Sequence, residues 1–289
     1  MYRSIEDFKI YLVFWLLGIL AALTIAFIFQ GQLLDLYVYD QFYYFDQLNK
    51  PYFKMLQDIG PRYILFMTYL KILNFLTPDP LIIFFIYVFI NGIILTFLCR
   101  KYNLLTLFFF LISYIYLSHG LYRDQLILSL VPLIGRLKFI SEFLIIALRF
   151  QLILLLEYRL KILNFIIPTL LVVIAISYAE YSTVRDVIQI NFSIFTRFLQ
   201  NYSSLVGYGF FFSEINLPLS FIFLRILLGN YILILLFIEL YNFKSKYVWL
   251  YKYFLYSLLH SILQVNMDIR VHIIIISIIL ITSNFKKIN

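Results

Sequence analysis

The stretch from Ile10 to Phe29 constrains this chain more than any other feature of its sequence. It runs for about 20 residues without a charged side chain, and a helix of that length crosses the roughly 30 Å hydrocarbon core of a bilayer. Arg3 and Lys9 precede the stretch, and no small-residue cleavage site follows it. We therefore expect a retained first transmembrane helix whose N-terminus faces the cytoplasm.

The composition extends this expectation to the rest of the chain. Of the 289 residues, 63% are hydrophobic and 13% are charged, whereas soluble domains contain about 25% charged residues. The formal net charge is +8, but the basic residues form short clusters between apolar runs, as they do in loops that flank membrane helices. This distribution does not favour binding to nucleic acid. The single cysteine, Cys99, excludes an intramolecular disulfide and is expected to be a small packing residue.

Apolar runs recur along the whole sequence and predict an all-α polytopic membrane protein with about eight to ten transmembrane helices. The runs are 10–29, 63–76, 80–99, 104–117, 123–135, 139–156, 162–178, 217–240, 247–265 and 271–283. Two more polar, amphipathic stretches, 30–62 and 180–216, are expected outside the membrane, the first of them as a helix that lies on its surface. No repeat or low-complexity linker divides the sequence, so we expect residues 1–289 to form a single integral-membrane domain.

The number of spans sets the topology, and the sequence leaves it open. Ten spans place both termini inside and both polar stretches outside. They also place the basic clusters at 100–101 and 136–138 outside, against the tendency of positive charge to remain in the cytoplasm. If 63–76 does not cross the membrane, those clusters lie inside, but another crossing or a re-entrant segment is then needed before residue 180.

Several charged side chains fall in or beside apolar runs, where an Arg or Asp at mid-bilayer costs about 2.5–3.5 kcal/mol on insertion scales. They are Arg123, Asp124, Glu142, Arg149 and Arg225. One explanation for these charges is that they neutralise one another and that their side chains snorkel towards the helix ends. The other is a shared polar cavity, because the arginines belong to different helices. Guanidinium groups suit phosphate and carboxylate oxygens, so such a cavity fits a polyprenyl diphosphate head or a proton-coupled substrate carboxylate.

The spacing of these charges predicts a hairpin. Arg123 and Asp124 begin one apolar run, and Arg149 lies in the next, across a basic turn at Arg136 and Lys138. The ends of a hairpin come together, so Arg123 and Arg149 are expected to face the same side of the membrane. Asp124 is then placed to hold one of the guanidinium groups.

The segment LYRDQLILSLVPLIGRLKFISEFLIIALRFQLILLL, residues 121–156, resembles bacterial polysaccharide polymerases of the Wzy and EpsG type. The shared features are an Arg-Asp pair that opens a span, a basic hairpin, and a Leu-Arg pair in the returning helix. The two acidic and aromatic external stretches and the sequence NMDIRVH at 266–272 fit the same layout. As a pattern of spans, the resemblance covers most of the chain. One departure is that no histidine follows shortly after Arg149, where many EpsG-type chains carry one.

The resemblance implies an integral-membrane glycosyltransferase with a GT-C-like helical bundle, multi-pass in the bacterial cytoplasmic (inner) membrane. It would polymerise undecaprenyl-diphosphate-linked oligosaccharide units into a cell-surface polysaccharide such as O-antigen, capsule or exopolysaccharide. A flippase and a chain-length regulator would be its protein partners. No DxD-type metal pair is evident, so arginines are expected to replace a metal, and no cofactor is implied.

Glycosyl transfer from a diphosphate lipid needs positive charge on the leaving group and a base on the acceptor hydroxyl. Arg123, Arg149 and Arg225 would hold the diphosphate, and Asp124 would orient Arg123. Because no histidine follows shortly after Arg149, the general base is left unassigned. The remaining candidates are Arg185 and Arg270 for substrate binding, and Asp40, Asp268 and His260 as alternative bases.

Three other functions fit parts of the sequence. A GT-C glycosyltransferase that uses a polyprenyl-phosphate sugar typically carries an acidic residue just after its first span, where Asp35 and Asp40 lie. A lipid or solute transporter is less favoured, because no two halves with matching hydropathy are visible. A structural membrane subunit would use its charges to pair with a partner. His119 is expected at the membrane interface, with a role in the site as the alternative.

Overall fold

The structure, a computed structural model, describes residues 5–35, 45–59, 63–135, 138–148, 152, 162–163, 165–170, 173, 226–234, 246–262 and 269–288. These residues form helices joined by turns, so the predicted all-α class is confirmed. The chain divides into two compact units, Met1–Phe150 and Gln151–Asn289. That residues 1–289 form a single integral-membrane domain stays a prediction.

Seven labelled α-helices make up the described part of the first unit. They are α1 (Ile5–Asp35), α2 (Tyr52–Ile59), α3 (Ile64–Leu76), α4 (Pro80–Leu98), α5 (Leu104–Leu117), α6 (Arg123–Leu130) and α7 (Lys138–Leu148). A 3₁₀ turn, Cys99–Lys101, follows α4, and a second, Val131–Gly135, joins α6 to α7. The helix α4 is central, because it packs against α1, α3 and α6. In turn, α6 packs against α5 and α7 as well, so the predicted hairpin is present as α6 and α7.

Local sequence signals explain where α4 and α5 begin. Asp79 caps α4 by accepting a 2.8 Å hydrogen bond from the Leu81 amide, and Pro80 occupies the first helical position, which does not need an N–H. Asn103 caps α5 by accepting a 2.8 Å bond from the Thr106 amide. Each cap satisfies a donor that a helix start otherwise leaves unpaired.

Gly92 lies where three helices of this unit approach one another closely. A Cβ atom placed on Gly92 of α4 would lie 2.5 Å from the Tyr114 hydroxyl of α5 and 2.7 Å from Cγ1 of Ile19 in α1. Real side chains do not tolerate such distances, and the Tyr114 hydroxyl is held by a 2.8 Å bond to the Val88 carbonyl. A small residue is therefore required where α1, α4 and α5 meet, as is common between membrane helices.

Two of the described helices are long and apolar enough to cross a membrane, Asp7–Phe29 and Pro80–Lys101. They coincide with the predicted runs 10–29 and 80–99. Shorter apolar helices cover Ile64–Leu76, Leu104–Leu117 and Arg270–Ile281. Large apolar side chains also cover the outer face of α1, where Leu20 is 62% exposed. A count of about eight to ten spans stays a prediction, as does the topology.

The first polar stretch contains the amphipathic helix that its sequence predicts. In α2, Met55 is fully buried, whereas Tyr52, Phe53 and Lys54 are exposed. The Lys71 ammonium of α3 donates to the Lys50 carbonyl at 2.7 Å and lies 5.5 Å from the centre of the Tyr52 ring. These contacts fix α2 against α3. Residues 36–44 and 60–62 of the same stretch lie outside the described residues.

The second unit contains α8 (Lys246–Ile262), α9 (Ile269–Ile288) and a helical segment at 226–234. The described side chains from Val271 to Ile281 in α9 are all buried. The Tyr253 hydroxyl of α8 forms a hydrogen bond with Nδ1 of His272 in α9, which joins the two helices. Lys252 is also buried at 1% exposure.

Candidate functional site

The first turn of α6 is held by a tyrosine from another helix. Tyr122, the residue before α6, has extended backbone geometry and no capping side chain. The Tyr87 hydroxyl of α4 donates to the Tyr122 carbonyl at 2.6 Å and accepts from the Leu126 amide at 3.1 Å. It thus stands between the carbonyl and the amide that an ordinary helical turn would join directly. The start of α6 is therefore positioned by α4.

The other face of α6 belongs to a buried chain of polar side chains. Ser129 donates to Oδ1 of Asn91 in α4 at 2.8 Å, and Asn91 donates to the Tyr87 carbonyl at 2.8 Å. Nearer the start of α6, Gln125 donates to the Ser118 hydroxyl at 3.1 Å. All four polar residues of this chain, Asn91, Ser118, Gln125 and Ser129, are fully buried. Hydrogen bonds join them in two pairs, Asn91 with Ser129 and Ser118 with Gln125, while the Oε1 atom of Gln125 is buried without a hydrogen-bond partner.

Arg123 lies at the end of the hairpin opposite the turn, and its contacts include Tyr63 and Leu148. Its guanidinium carbon lies 4.5 Å from the centre of the Tyr63 ring, and its Nη1 donates to the Leu148 carbonyl at 3.2 Å. Leu148 is the last residue of α7. The side chain is half-buried. Arg123 is therefore held between an aromatic face and a backbone carbonyl.

Asp124 is 5% exposed and lies in the first turn of α6. A carboxylate in that position is stabilised by the positive end of the helix dipole. Consecutive residues on a helix do not face each other, so Asp124 and Arg123 leave α6 in different directions. That Asp124 orients the Arg123 guanidinium stays a prediction.

The connection before α6 also contains His119, which is buried at 7% exposure. Its Nδ1 lies at hydrogen-bond distance from the Tyr116 carbonyl, and its Nε2 lies 3.0 Å from the Tyr122 hydroxyl. The rings of Phe29, Tyr116 and Tyr122 surround it, with centroids 5.8, 5.0 and 4.9 Å from that of the imidazole. His119 therefore lies in an enclosed position four residues before Arg123, and its expected depth at the membrane interface stays a prediction.

The structure places only part of the predicted site. Arg123 and Asp124 lie together at the start of α6, and Arg123 contacts Leu148, the residue before Arg149. Arg270 is half-buried at the second position of α9 in the other unit, and His260 belongs to α8, although its side chain lies outside the described residues. Five predicted site residues lie outside the described residues altogether: Asp40, Arg149, Arg185, Arg225 and Asp268.

Sequence reasoning missed the tyrosines that build this site. Tyr63, Tyr87 and Tyr122 are three of 25 tyrosines, and no local pattern distinguishes them from the others. Only the position of Tyr122 beside the Arg-Asp pair could have drawn attention to it. Among the described residues, no group of three or more His, Cys, Asp or Glu side chains is placed to hold a metal ion.

No protein-family model matches the chain, and no curated protein or solved structure does so either.

Proposed function

We propose that this chain is a membrane glycosyltransferase that polymerises polyprenyl-diphosphate-linked oligosaccharide units into a cell-surface polysaccharide. The bacterial cytoplasmic membrane is its proposed location, and the lipid-linked oligosaccharide is its proposed substrate. The observation that supports this function best is Arg123, a half-buried arginine fixed at the mouth of a hairpin in a strongly apolar chain.

The geometry of Arg123 suits a diphosphate. The Tyr63 ring and the Leu148 carbonyl set the plane of the guanidinium group, so less of its rotational freedom is lost when a ligand binds. A planar guanidinium can donate two parallel hydrogen bonds to phosphate oxygens. In a site with little water, those bonds stabilise the negative charge that grows on the diphosphate as the glycosidic bond breaks.

The position of Leu148 adds a second argument. The Arg123 guanidinium reaches the residue directly before Arg149, so the backbone that carries Arg149 starts beside it. Two arginines at one end of the hairpin would match the two phosphates of the leaving group. Polymerisation by a pair of arginines would need no metal ion.

The test replaces Arg123 with lysine, which keeps the charge but loses the planar pair of donors. We expect Arg123→Lys to lower the rate of polymerisation about 10- to 100-fold, the equivalent of the roughly 1.5–3 kcal/mol of one charged hydrogen bond. Arg100→Lys is the matched control, because the Arg100 guanidinium also lies over an aromatic ring, that of Phe8 at 5.8 Å, and is exposed. It should polymerise like the wild type.

The readout is the length distribution of surface polysaccharide on a gel, with the amount of protein in the membrane checked by blot. If Arg123 only caps the end of α7, lysine can still donate to the Leu148 carbonyl. Arg123→Lys would then give the full ladder, and the proposed role of Arg123 would be lost.

A further inference from the structure

We infer that the surface at Arg100 and Lys101 binds an anionic phospholipid, with the phosphate on these two side chains and an acyl chain along α4. The inference goes beyond the proposed function, because this surface takes no part in sugar transfer. It is carried by an exposed basic pair that stands at the end of a strip of apolar side chains on the same helix.

Contacts between α1 and α4 show at which end of the helices the basic pair lies. The Arg100 guanidinium lies 5.8 Å from the centre of the Phe8 ring, and the Tyr11 hydroxyl of α1 donates to the Thr96 carbonyl of α4. The start of α1 thus meets the end of α4, so Lys101 lies at the same end as the start of the chain. With the N-terminus in the cytoplasm, as the sequence predicts, the pair faces the leaflet whose surface is negative.

The charges at this end suit an anionic ligand. Arg100 and Lys101 are exposed, and so is Lys9 in the first turns of α1. Asp7 is the acidic side chain described at the same end, so one negative charge stands against three positive ones. Among the described residues, neither Arg100 nor Lys101 forms a salt bridge. A phosphate would therefore add an ionic contact without displacing one.

The apolar strip on α4 distinguishes a lipid from a free anion. Phe89 and Phe97 are 46% and 68% exposed, and Ile93 between them is half-buried. Residues four apart share one helix face, and Arg100 continues that face three residues after Phe97. From Phe89 to Arg100 the chain rises by about 16 Å, close to half of the roughly 30 Å hydrocarbon core. The strip thus has the length of one leaflet and ends at the positive charge, as an acyl chain and its phosphate require.

The experiment measures lipid binding by the full chain, purified and reconstituted in phosphatidylcholine vesicles. The probe is a phosphatidylglycerol with a photoreactive diazirine in one acyl chain. The readout is the amount of probe attached to residues 80–101, found by mass spectrometry of chymotryptic peptides. Arg100→Gln with Lys101→Gln should raise the probe fraction that half-saturates this labelling about 30-fold, because each basic residue near the surface is worth about five-fold. Arg100→Lys keeps the charge and should be labelled like the wild type.

The matched control is Lys286→Gln with Lys287→Gln, which removes the same charge from another consecutive basic pair. It should leave the labelling of 80–101 unchanged, and an equal loss would show that overall charge attracts the lipid and that no local site exists. Wild-type labelling in the variant without Arg100 and Lys101 also overturns the inference.

Two further measurements on the wild type test the ligand without any substitution. A phosphatidylcholine with the same diazirine should label 80–101 less than the phosphatidylglycerol does, because its head group has no net negative charge. Glycerol 3-phosphate, which has the phosphate but no acyl chain, should not displace the probe. Equal labelling by the two lipids would exclude recognition of the anionic head, and displacement by glycerol 3-phosphate would show a site for free anions.

Discussion

The helices α1 and α6 belong to the same unit and are built in opposite ways. In α1, large apolar side chains such as Leu16 and Leu20 cover the outer face. In α6, every residue from Asp124 to Ser129 is buried, and three of these six are polar. The two helices thus differ in their surroundings: α1 presents apolar side chains outwards, whereas α6 is surrounded by other helices and encloses polar ones.

Physical chemistry accounts for both arrangements. An apolar surface exposed along a whole helix is stable when hydrocarbon covers it, and the backbone groups of α1 are satisfied within the helix. An unpaired buried polar group costs about 1–3 kcal/mol, so partners stabilise buried polar side chains. For α6, Asn91 of α4 is the partner of Ser129 and Ser118 of the preceding connection is the partner of Gln125, whose Oε1 atom is nevertheless buried without one.

The largest effect is expected in the rate of cysteine labelling on the outer face of α1. Leu20 and Phe53 are 62% and 73% exposed, but we expect lipid over Leu20 and water near Phe53. In intact membranes, Leu20→Cys should react with a charged maleimide about 100-fold more slowly than Phe53→Cys, because the reactive thiolate is strongly disfavoured in hydrocarbon.

The native Cys99 is fully buried and should contribute little background to that labelling. Both variants should react fully after denaturation in sodium dodecyl sulfate, which controls for intrinsic reactivity. Equal rates in the intact membrane would show that water, not lipid, covers α1.

The next prediction tests the inward polar face of α6. Tyr87→Phe removes both hydrogen bonds that hold the first turn and leaves the Leu126 amide without its acceptor. We expect the free energy of unfolding in detergent micelles to fall by about 2–3 kcal/mol. Tyr11→Phe, which removes the described bond to the Thr96 carbonyl, should cost about 1 kcal/mol. If the two variants lose equal stability, the start of α6 does not depend on Tyr87.

The smallest expected effect sharpens the same comparison through a double-mutant cycle. Ser129→Ala leaves Oδ1 of Asn91 buried without the Ser129 donor, and Asn91→Leu removes that acceptor. The double variant should be about 1 kcal/mol more stable than the sum of the two single changes predicts, because replacing both partners removes the unpaired group.

Thr24→Ala provides the control for that cycle. Among the described contacts, the Thr24 hydroxyl donates only to the Leu20 carbonyl at 2.9 Å, within α1. It shares no described partner with Ser129. Its effect should add to that of Ser129→Ala. If the stability changes of Asn91→Leu and Ser129→Ala were also strictly additive, they would contradict an energetic link between α4 and α6.

Part of the candidate site was predictable, because its signal is local. An Arg-Asp pair at the edge of an apolar run and a basic turn after it predicted a hairpin, and the structure contains it as α6 and α7. The partners that Arg123 contacts were not predictable from the sequence. Its partners are Tyr63 and Leu148, and the hydrogen bond to Leu148 spans 25 positions of the chain. The rings that enclose His119 were not predictable either, since a lone histidine beside a glycine carries no information about them.

The sequence by itself determined the all-α class, the two long apolar helices, and the caps at Asp79 and Asn103, because each depends on residues within about one helix length. The tertiary structure alone decided that the polar residues of α6 face inwards. The bonds that make this possible join Tyr87 to Tyr122 and Asn91 to Ser129, which are 35 and 38 positions apart. A buried polar group is stable only beside its partner, and that partner is brought near by the packing of helices and not by the local sequence.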